Sequence, residues 1–455
     1  MLPNGRDLRE VQPDSEPPHA TPAVDSGGTD ATGSFVDLDH DRYAVIRGTS
    51  ALAPFFMTVA GASDMWLFLS SGGGVTAGRR NASHAVFPYS TDDKIVDTAS
   101  STGGLTLVRA TLADGSSTLW QPFEPSLDSR GSGRRSVYRS VWGDHVVLED
   151  RHDELGLMMR VGWRTSGRFG VVRECTLVAN EDVVVDVLDG VQNVLPPGVT
   201  PQTQNALSNL LDAYKRAEVD PASGVATVFL SSLLTDRAEP AESLSATTVW
   251  HTGLPGATVS TDLERARSFA RGEPAVPLSH TRGRRGAYLL EARARVTPGE
   301  PLTWATLVDT DQSAADVVDL VELARDQHRA AATVAQDRLA GRDALRRHLS
   351  AADGLQKTGD EVASVHHRAN VLFNAMRGGV PSDGYAVDAA DMRVFVTERS
   401  TSTAVMKMRS PEPITTRSKR PDSAAQSACS RSSRSYIVRC SRRCRSRSLF
   451  SFSRS

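Results

Sequence analysis

Short runs of β-branched and aromatic residues dominate the chain between Phe35 and Asp309. Turn-forming residues separate these runs, and most of the runs have no helical segment between them. This spacing predicts antiparallel strands packed as a sandwich. Because the span exceeds the roughly 100 residues of an immunoglobulin-like domain, we expect a large, mainly β, many-stranded sandwich. The clearest runs are MWLFLSS, LTLVRATL, HVVLED, LGLMMRVGW, GVVRECTLV, VVVDVLDGV, AYLLEARARV and LTWATLV.

Three later segments have apolar residues at helical spacing instead. The first, PQTQNALSNLLDAYKRAEVDPASG, predicts a short helix over the sheets that stops at Pro221. The second predicts one long amphipathic helix that begins at Asp311, with Asp311 or Ser313 as its N-cap, and continues past Leu339. The third, DEVASVHHRANVLFNAMRGG, predicts a helix that ends at the glycine pair 378–379.

These patterns divide the chain into four zones. The division comprises a disordered leader (1–34), a β-supersandwich (35–309), linker helices (310–400) and a disordered basic tail (401–455).

Charge separates the tail from the rest of the chain. The net charge is −2, but residues 408–455 hold 12 Lys and Arg against 2 Asp and Glu, which leaves the preceding residues at −12. An acidic body gains nothing from nucleic acid, so no nucleic-acid partner is expected. The chain shows neither an apolar signal core near its start nor an 18-residue apolar run, so we expect a cytoplasmic protein without a membrane partner.

The tail itself ends in SRSSRSYIVRCSRRCRSRSLFSFSRS. Its Arg-Ser alternation is broken by apolar residues and cysteines, and no RNA-binding fold precedes it. We interpret it as translated out of frame, while a native disordered tail and an RNA-binding segment remain the alternatives. Three of the four cysteines lie in the tail, so we do not expect a disulfide framework in the rest of the chain.

Planar polar side chains follow a glycine-rich stretch, SSGGGVTAGRRNASHAVFPYSTDDKI. The ordinary interpretation of its glycines is a hairpin or crossing loop that needs positive φ angles. The alternative is a ligand-facing loop, because guanidinium and amide groups suit sugar hydroxyls or phosphate. The candidate substrate-binding residues of this stretch are Arg79, Arg80, Asn81, Asp92, Asp93 and Lys94.

Six tryptophans lie in or beside the predicted strands, and we expect most of them in the core. Trp120 is the candidate for a sugar-stacking platform, because Pro122 ends the strand beside it. The neighbouring carboxylates Glu149 and Asp150 point to opposite faces of a strand. We therefore interpret them as solvated turn or edge charges rather than as a catalytic pair. We predict neither a metal site nor a catalytic residue.

Four stretches resemble the N-terminal part of cellobiose phosphorylase-like proteins, which are related to glycoside hydrolase family 94. The resemblance runs from about Phe35 to about Val387. It is carried by APFFMTVAGASDMWLFLSSGGGVTAGRRNASHAVFPYSTDDKI, FGVVRECTLVANEDVVVDVLDGVQNVLPPGVT, SNLLDAYKRAEVDPASGVATVFLSSLLTDRAEPAESLSATTVW and HHRANVLFNAMRGGVPSDGYAV.

The resemblance implies a galactose mutarotase-like β-supersandwich, linker helices and a catalytic (α/α)6 barrel. In that family the barrel carries the general acid, and inorganic phosphate is the co-substrate for inverting phosphorolysis of β-glucosides. The family-like sequence ends near residue 400, so the barrel is missing and no catalytic residue can be assigned. No cofactor is expected.

The function hypothesis is therefore a carbohydrate-binding sandwich fragment of such an enzyme, itself catalytically incomplete, with an oligosaccharide or β-glucoside as partner. A stand-alone carbohydrate-binding protein and a complete glycoside hydrolase are the alternatives. The linker helices would expose apolar stripes without a barrel, which predicts self-association.

Overall fold

The computed structural model describes residues 32–39, 41–112, 114–124, 135–232, 243–274, 276–376, 389–390 and 393. Residues 1–31 of the predicted leader lie outside the described residues, and the first strand begins at Thr32. The whole predicted tail also lies outside them. The glycine pair 378–379 lies outside them as well.

The described residues form twenty strands, numbered along the chain. They are β1 (Thr32–Leu38), β2 (Asp41–Arg47), β3 (Phe56–Val59), β4 (Met65–Ser70), β5 (Val75–Arg79), β6 (Ala85–Phe87), β7 (Gly103–Thr111), β8 (Ser117–Trp120), β9 (Ser136–Ser140), β10 (His145–His152), β11 (Leu157–Ser166), β12 (Gly170–Ala179), β13 (Val183–Val194), β14 (Lys215–Val219), β15 (Ala226–Leu230), β16 (Ser245–Gly253), β17 (Thr258–Ser260), β18 (His280–Arg282), β19 (Gly286–Val296) and β20 (Leu302–Ser313).

The described helices are fewer and mostly late in the chain. They are α1 (Asp92–Ile95), α2 (Pro201–Tyr214), α3 (Glu264–Ala270), α4 (Ala314–Ala324), α5 (Gln327–Ala351) and α6 (Glu361–Met376). Two 3-10 turns, Thr49–Ala51 and Ala82–His84, complete the elements.

The strands form three sheets. The large sheet has the order β1-β2-β9-β10-β11-β12-β20-β16-β15-β14-β18, the five-stranded sheet β17-β19-β13-β7-β8, and the four-stranded sheet β3-β4-β5-β6. Each pairing between these strands is antiparallel, as in β12 with β20 and in β13 with β19. The predicted large, mainly β, antiparallel sandwich is confirmed.

The main core lies between the large sheet and the two smaller sheets. Strands β12 and β13 contribute alternate residues to it, including Val171, Cys175 and Leu177 from one strand and Val187 and Val191 from the other. This period of two is the pattern of a strand with one face turned to a core. The tryptophan prediction is confirmed, because the buried tryptophans are Trp66, Trp120, Trp163, Trp250 and Trp304.

One ion pair lies inside this core and joins two sheets. Arg173 of β12 donates to both carboxylate oxygens of Asp189 of β13, at 2.6 and 2.8 Å. Trp304 Nε1 and Thr106 Oγ1 also donate to this carboxylate. Because each charged group has a close partner, the pair can be held away from water.

The helices α4 and α5 cover the outer face of the large sheet. Leu320, Leu323 and Ala330 pack against Trp250 and Leu307 of the sheet. Ion pairs add to this contact, because Arg342 of α5 bonds to Asp41 and Asp144. Ser166 also donates a hydrogen bond to Asp337 of α5, at 2.5 Å. Apolar packing and these polar contacts together fix the helices to the sandwich.

The helix predictions are only partly correct. The single long helix predicted from Asp311 is wrong, because Arg325 and Asp326 separate α4 from α5, and Asp326 caps α5. Ser313 is the N-cap of α4, in a capping box with Asp316. Asp311 instead belongs to β20, and its carboxylate contacts His84 in the 3-10 turn before β6.

The predicted short helix is confirmed as α2, but it ends at Tyr214 and strand β14 follows directly. Within α2, Leu211 is buried, Leu210 is exposed and Leu207 has non-helical backbone angles.

Among the described residues, no helix is both long and apolar enough to cross a membrane. Self-association of the helices stays a prediction, and Val318, Leu339 and Val362 are exposed on them.

The inter-sheet ion pair generates the first testable prediction. Asp189→Asn removes one charge of the pair with little change in shape and leaves the buried Arg173 guanidinium uncompensated. We expect the free energy of unfolding to fall by about 3–5 kcal/mol, measured by urea denaturation. The matched control is Asp182→Asn, because Asp182 pairs with Arg295 on the surface and should cost at most about 1 kcal/mol. Similar losses in both variants would contradict the assignment of a stabilising role to the core pair.

Candidate functional site

The glycine-rich stretch forms the predicted hairpin between β4 and β5. Strand β4 pairs with β5 in antiparallel register, and Gly73 lies in the turn with a φ of 94°. A side chain is strained at this angle, so the hairpin interpretation is confirmed. The hairpin carries Arg79 to the last residues of β20, a central strand of the large sheet.

Arg79 is the last residue of β5, and its guanidinium bonds to three separate parts of the chain. It donates to Asp309 Oδ1 and Oδ2 at 2.6 and 2.7 Å, to Asp64 Oδ1 at 2.6 Å and to the Gly167 carbonyl at 3.0 Å. Burial acts to lower the pKa of Arg79, but the two carboxylates raise it above its ordinary value, so the group stays charged. With its donors used this way, Arg79 anchors the loop that follows.

Arg80 directly follows Arg79, Asp311 lies two positions after Asp309, and the two side chains bond to each other. His84 Nδ1 lies 2.7 Å from Asp311 Oδ2. Arg80 Nη2 also lies 3.2 Å from His84 Nδ1, so the three side chains form one polar cluster. Burial acts to raise the pKa of Asp311, but the His84 hydrogen bond and the charges of His84 and Arg80 lower it below its ordinary value.

Backbone strain coincides with this contact. Arg80 has a φ of 57° and Asp311 has a φ of 60°. Left-handed angles are uncommon outside glycine, and aspartate tolerates them better than arginine does. Strained residues of this kind concentrate at binding and active sites, where the surrounding structure holds them. Asn81 supports the same loop, because its side chain caps the 3-10 turn Ala82–His84 by accepting from the Ser83 amide.

The cluster borders an open cleft of about 530 Å³. One wall consists of Ser83, His84 and Asp311. Two further segments line the cleft, the one between β13 and α2 and the start of β16; their residues are Pro197, Gly198, Thr200, Ser243, Leu244 and Ser245. The volume lies within the range of about 300–1,000 Å³ that is typical of small-molecule sites. We call this feature the His84 cleft.

The other candidate residues lie elsewhere. Asp92, Asp93 and Lys94 belong to α1, which packs through Ile95 against the four-stranded sheet; the side chains of both aspartates lie outside the described residues, and Lys94 is exposed. Trp120 is 5% exposed and packs in the main core, with its ring edge to the His152 ring at 5.8 Å. Its role as a stacking platform stays a prediction that its burial does not support.

The interpretation of Glu149 and Asp150 as solvated charges is wrong. They are 1% and 3% exposed, on opposite faces of β10 as their adjacency requires. Glu149 bonds to Arg151 and Arg160 at 2.9 and 2.8 Å. Asp150 accepts from Arg135 and from the Phe123 amide. Arginine pairing allows both carboxylates to be buried.

The predicted residues Arg79, Arg80 and Asn81 are not among the residues that line the cleft, and their role in binding stays a prediction. Sequence reasoning missed His84, which is the only histidine among the described residues that line it. It also assigned Asp311 to a helix cap. Both omissions have the same cause, because the partners that make these residues a cluster are more than 200 positions apart. In the described part of the chain, no group of three His, Cys, Asp or Glu could hold a metal ion.

The cleft generates a pH prediction. Asp311→Asn keeps a residue type that tolerates positive φ and removes the carboxylate that Arg80 and His84 contact. At pH 7 we expect a loss of about 1 kcal/mol in unfolding free energy, as for a partly exposed ion pair. The pKa of Asp311 is depressed in the folded state, so its contribution is present above the unfolded value of about 3.9 and disappears as the pH falls through the folded pKa.

Urea unfolding of both proteins between pH 7 and pH 3 checks this sign. The stability difference between wild type and Asp311→Asn should be constant near neutrality and should shrink below about pH 4. A difference that grows on acidification would show that the carboxylate is not stabilised by its partners.

No protein-family model matches this chain, and no curated protein sequence matches it. Among solved structures, it is similar to a bacterial glucoamylase complexed with acarbose, with 10% identity over 71% of this chain and 43% of that one and a TM-score of 0.37. It is also similar to a putative kojibiose phosphorylase from human microbiome, with 8% identity over 70% and 38% of the two chains and a TM-score of 0.37. A GalM/aldose epimerase homologue from C. elegans shares 12% identity over 57% of this chain and all of that one, with a TM-score of 0.33. The chain spans less than half the length of the first two proteins.

Proposed function

We propose that this chain binds an oligosaccharide in the His84 cleft and serves as the carbohydrate-binding sandwich of a cellobiose phosphorylase-like enzyme. The observation that carries the proposal is the placement of His84 and Asp311 at a cleft large enough for a small ligand, with Arg80 bonded to Asp311 beside it. The sequence resemblance described above supplies the enzyme class.

The polar wall suits hydroxyl groups. A sugar hydroxyl both donates and accepts, so it matches a wall that presents donors beside acceptors. Arg80 is 52% exposed on its side chain and supplies N–H donors, Asp311 supplies carboxylate oxygens, and His84 supplies an imidazole ring. Ser83, Ser243 and Ser245 add hydroxyl groups around the same space.

Part of the remaining lining is apolar. Leu244 is largely exposed, and Pro197 and Gly198 approach from the end of β13. Ligand sites commonly combine an apolar surface with a few convergent polar groups that fix orientation. A pyranose has both kinds of surface, because its C–H faces are apolar and its rim carries hydroxyl groups.

The described wall favours binding over bond cleavage. Hydrolysis of a glycoside normally uses two carboxyl groups placed across the bond, and phosphorolysis uses one acid and a bound phosphate. Among the described residues that line the cleft, Asp311 is the only carboxylate, and it already contacts Arg80 and His84. We therefore propose that any turnover belongs to the parent enzyme and requires residues supplied from outside this cleft.

Binding of cellobiose tests the proposal. We expect a dissociation constant of about 1 mM, or −4 kcal/mol, measured by ligand-observed NMR titration of the full chain. Arg80→Ala and His84→Ala should each raise it about tenfold, because each loses a hydrogen bond that involves a charged cluster. Arg295→Ala is the matched control, since Arg295 is an exposed arginine in a surface pair with Asp182 and does not line the cleft.

The same samples are incubated with cellobiose and inorganic phosphate and assayed for glucose 1-phosphate and glucose. We expect neither product. Sugar release that Asp92→Ala or Asp93→Ala abolishes would replace the binding proposal with a hydrolase. Unchanged affinity in both cleft variants would place the sugar elsewhere.

A further inference from the structure

A second, smaller pocket opens between the large sheet and the five-stranded sheet. It has a volume of about 60 Å³ and lies at the start of β5, beside Gly72 and Gly73, whereas the His84 cleft lies at the strand's end. Five residues of strand separate the two sites by about 15 Å at 3.3 Å per residue. The pocket is therefore distinct from the cleft, and we call it the Arg173 pocket.

Arg173 forms its inner end and carries one hydrogen-bond donor without a partner. The residue is 2% exposed. Its Nη1 and Nη2 atoms bond to Asp189, and Nη2 also donates to Thr106 Oγ1 at 2.8 Å. Its Nε has no partner among the described residues. A buried N–H group without an acceptor is costly, so such a group requires an explanation.

Gly104 keeps the space beside this donor open. A Cβ atom at this position would lie 2.8 Å from Arg173 Nε and 3.4 Å from Cζ. Arg173 cannot easily move aside, because Asp189 holds its guanidinium in two places. Any side chain at Gly104 would therefore collide with Arg173, so the glycine is required for the close approach to the unpartnered Nε, and both residues line the pocket.

A strained residue stands at the rim. Phe123 lines the pocket with a φ of 65°, which is a true outlier for a bulky side chain. Its amide donates to Asp150 Oδ2 at 2.8 Å, and Arg135 donates to the same oxygen at 3.2 Å. The buried Asp150 thus holds the rim in a conformation that costs free energy, which is typical of ligand sites.

The chemistry of the lining selects a neutral ligand. The charge of Arg173 is already balanced by Asp189, and the carboxylate residue Glu124 lines the outer part of the pocket, so an anion would gain little. Gln121 and Gln192 contribute amide groups that can donate and accept. Trp163 contributes an aromatic surface.

We propose that the Arg173 pocket binds a small neutral polyhydroxy compound, with one hydroxyl oxygen accepting from Arg173 Nε. On the same measure of volume one water needs about 10–15 Å³, so the space admits a molecule of a few heavy atoms or one end of a larger polyol. This site is separate from the His84 cleft and does not depend on the function proposed for it.

Saturation-transfer NMR tests this assignment, with glycerol and D-glucose as neutral probes and acetate and formate as anionic probes. The protein is the full chain, as wild type and with His84→Ala to remove cleft binding. We expect saturation transfer to glycerol in both proteins and to neither anion. Gly104→Ala should abolish the transfer. The matched control is Gly341→Ala on α5, where a Cβ meets nothing within 4 Å.

A second variant covers the case in which Gly104→Ala fails to fold. Gln121 is half-buried on the pocket wall, and Gln121→Ala should raise the dissociation constant for glycerol at least threefold while leaving the melting temperature unchanged. Absence of transfer to glycerol in the wild type would overturn the proposal. So would preferential binding of an anion, or glycerol binding that Gln121→Ala leaves unchanged.

Discussion

The ionic anchor at Arg79 is the interaction on which the His84 cleft depends. Its guanidinium holds both oxygens of Asp309 and one of Asp64, and thereby fastens the end of the four-stranded sheet to strand β20 of the large sheet. Arg80, the residue after Arg79, then meets Asp311, two positions after Asp309. The anchor thereby brings together two residues with left-handed backbone angles.

Two charged contacts therefore perform related tasks in one sandwich. Arg79–Asp309 joins the large sheet to the four-stranded sheet, and Arg173–Asp189 joins it to the five-stranded sheet. Apolar packing is nearly non-directional, whereas a guanidinium–carboxylate pair fixes position and angle. Each pair lies beside an opening in the structure, so the same groups that position the sheets also shape the spaces between them.

The sequence predicted features that depend on local pattern. Alternating apolar residues predicted the strands, and the glycine run predicted the hairpin before Arg79. The predictions failed where a distant partner decides the outcome. Asp311 has the chemistry of a helix cap, but β20 continues past it and Arg80 lies close by, so Ser313 caps the helix. Glu149 and Asp150 have the pattern of solvated charges, but arginines of other segments allow their burial.

The site was predicted in the same uneven way. Arg79, Arg80 and Asn81 were candidates for a ligand-facing loop, as the alternative to a plain hairpin, and that role stays a prediction. The structure separates their contacts, since Arg79 anchors the strand end, Asn81 caps the 3-10 turn and Arg80 bonds to Asp311. His84 follows within a few residues, yet a lone histidine has no distinguishing pattern until Asp311 is placed beside it. Trp120 was chosen for its neighbouring proline, which says nothing about burial.

Hydrogen–deuterium exchange of the full chain with and without saturating cellobiose tests the central claim most directly. The account predicts slower exchange of amides in the segments 80–84, 197–200 and 243–245, which converge on the His84 cleft. Segments on the far face of the large sheet, such as the middle of α5, should not change. Protection confined to other segments, or no protection at any sugar concentration, would contradict the assignment of the cleft as a carbohydrate site.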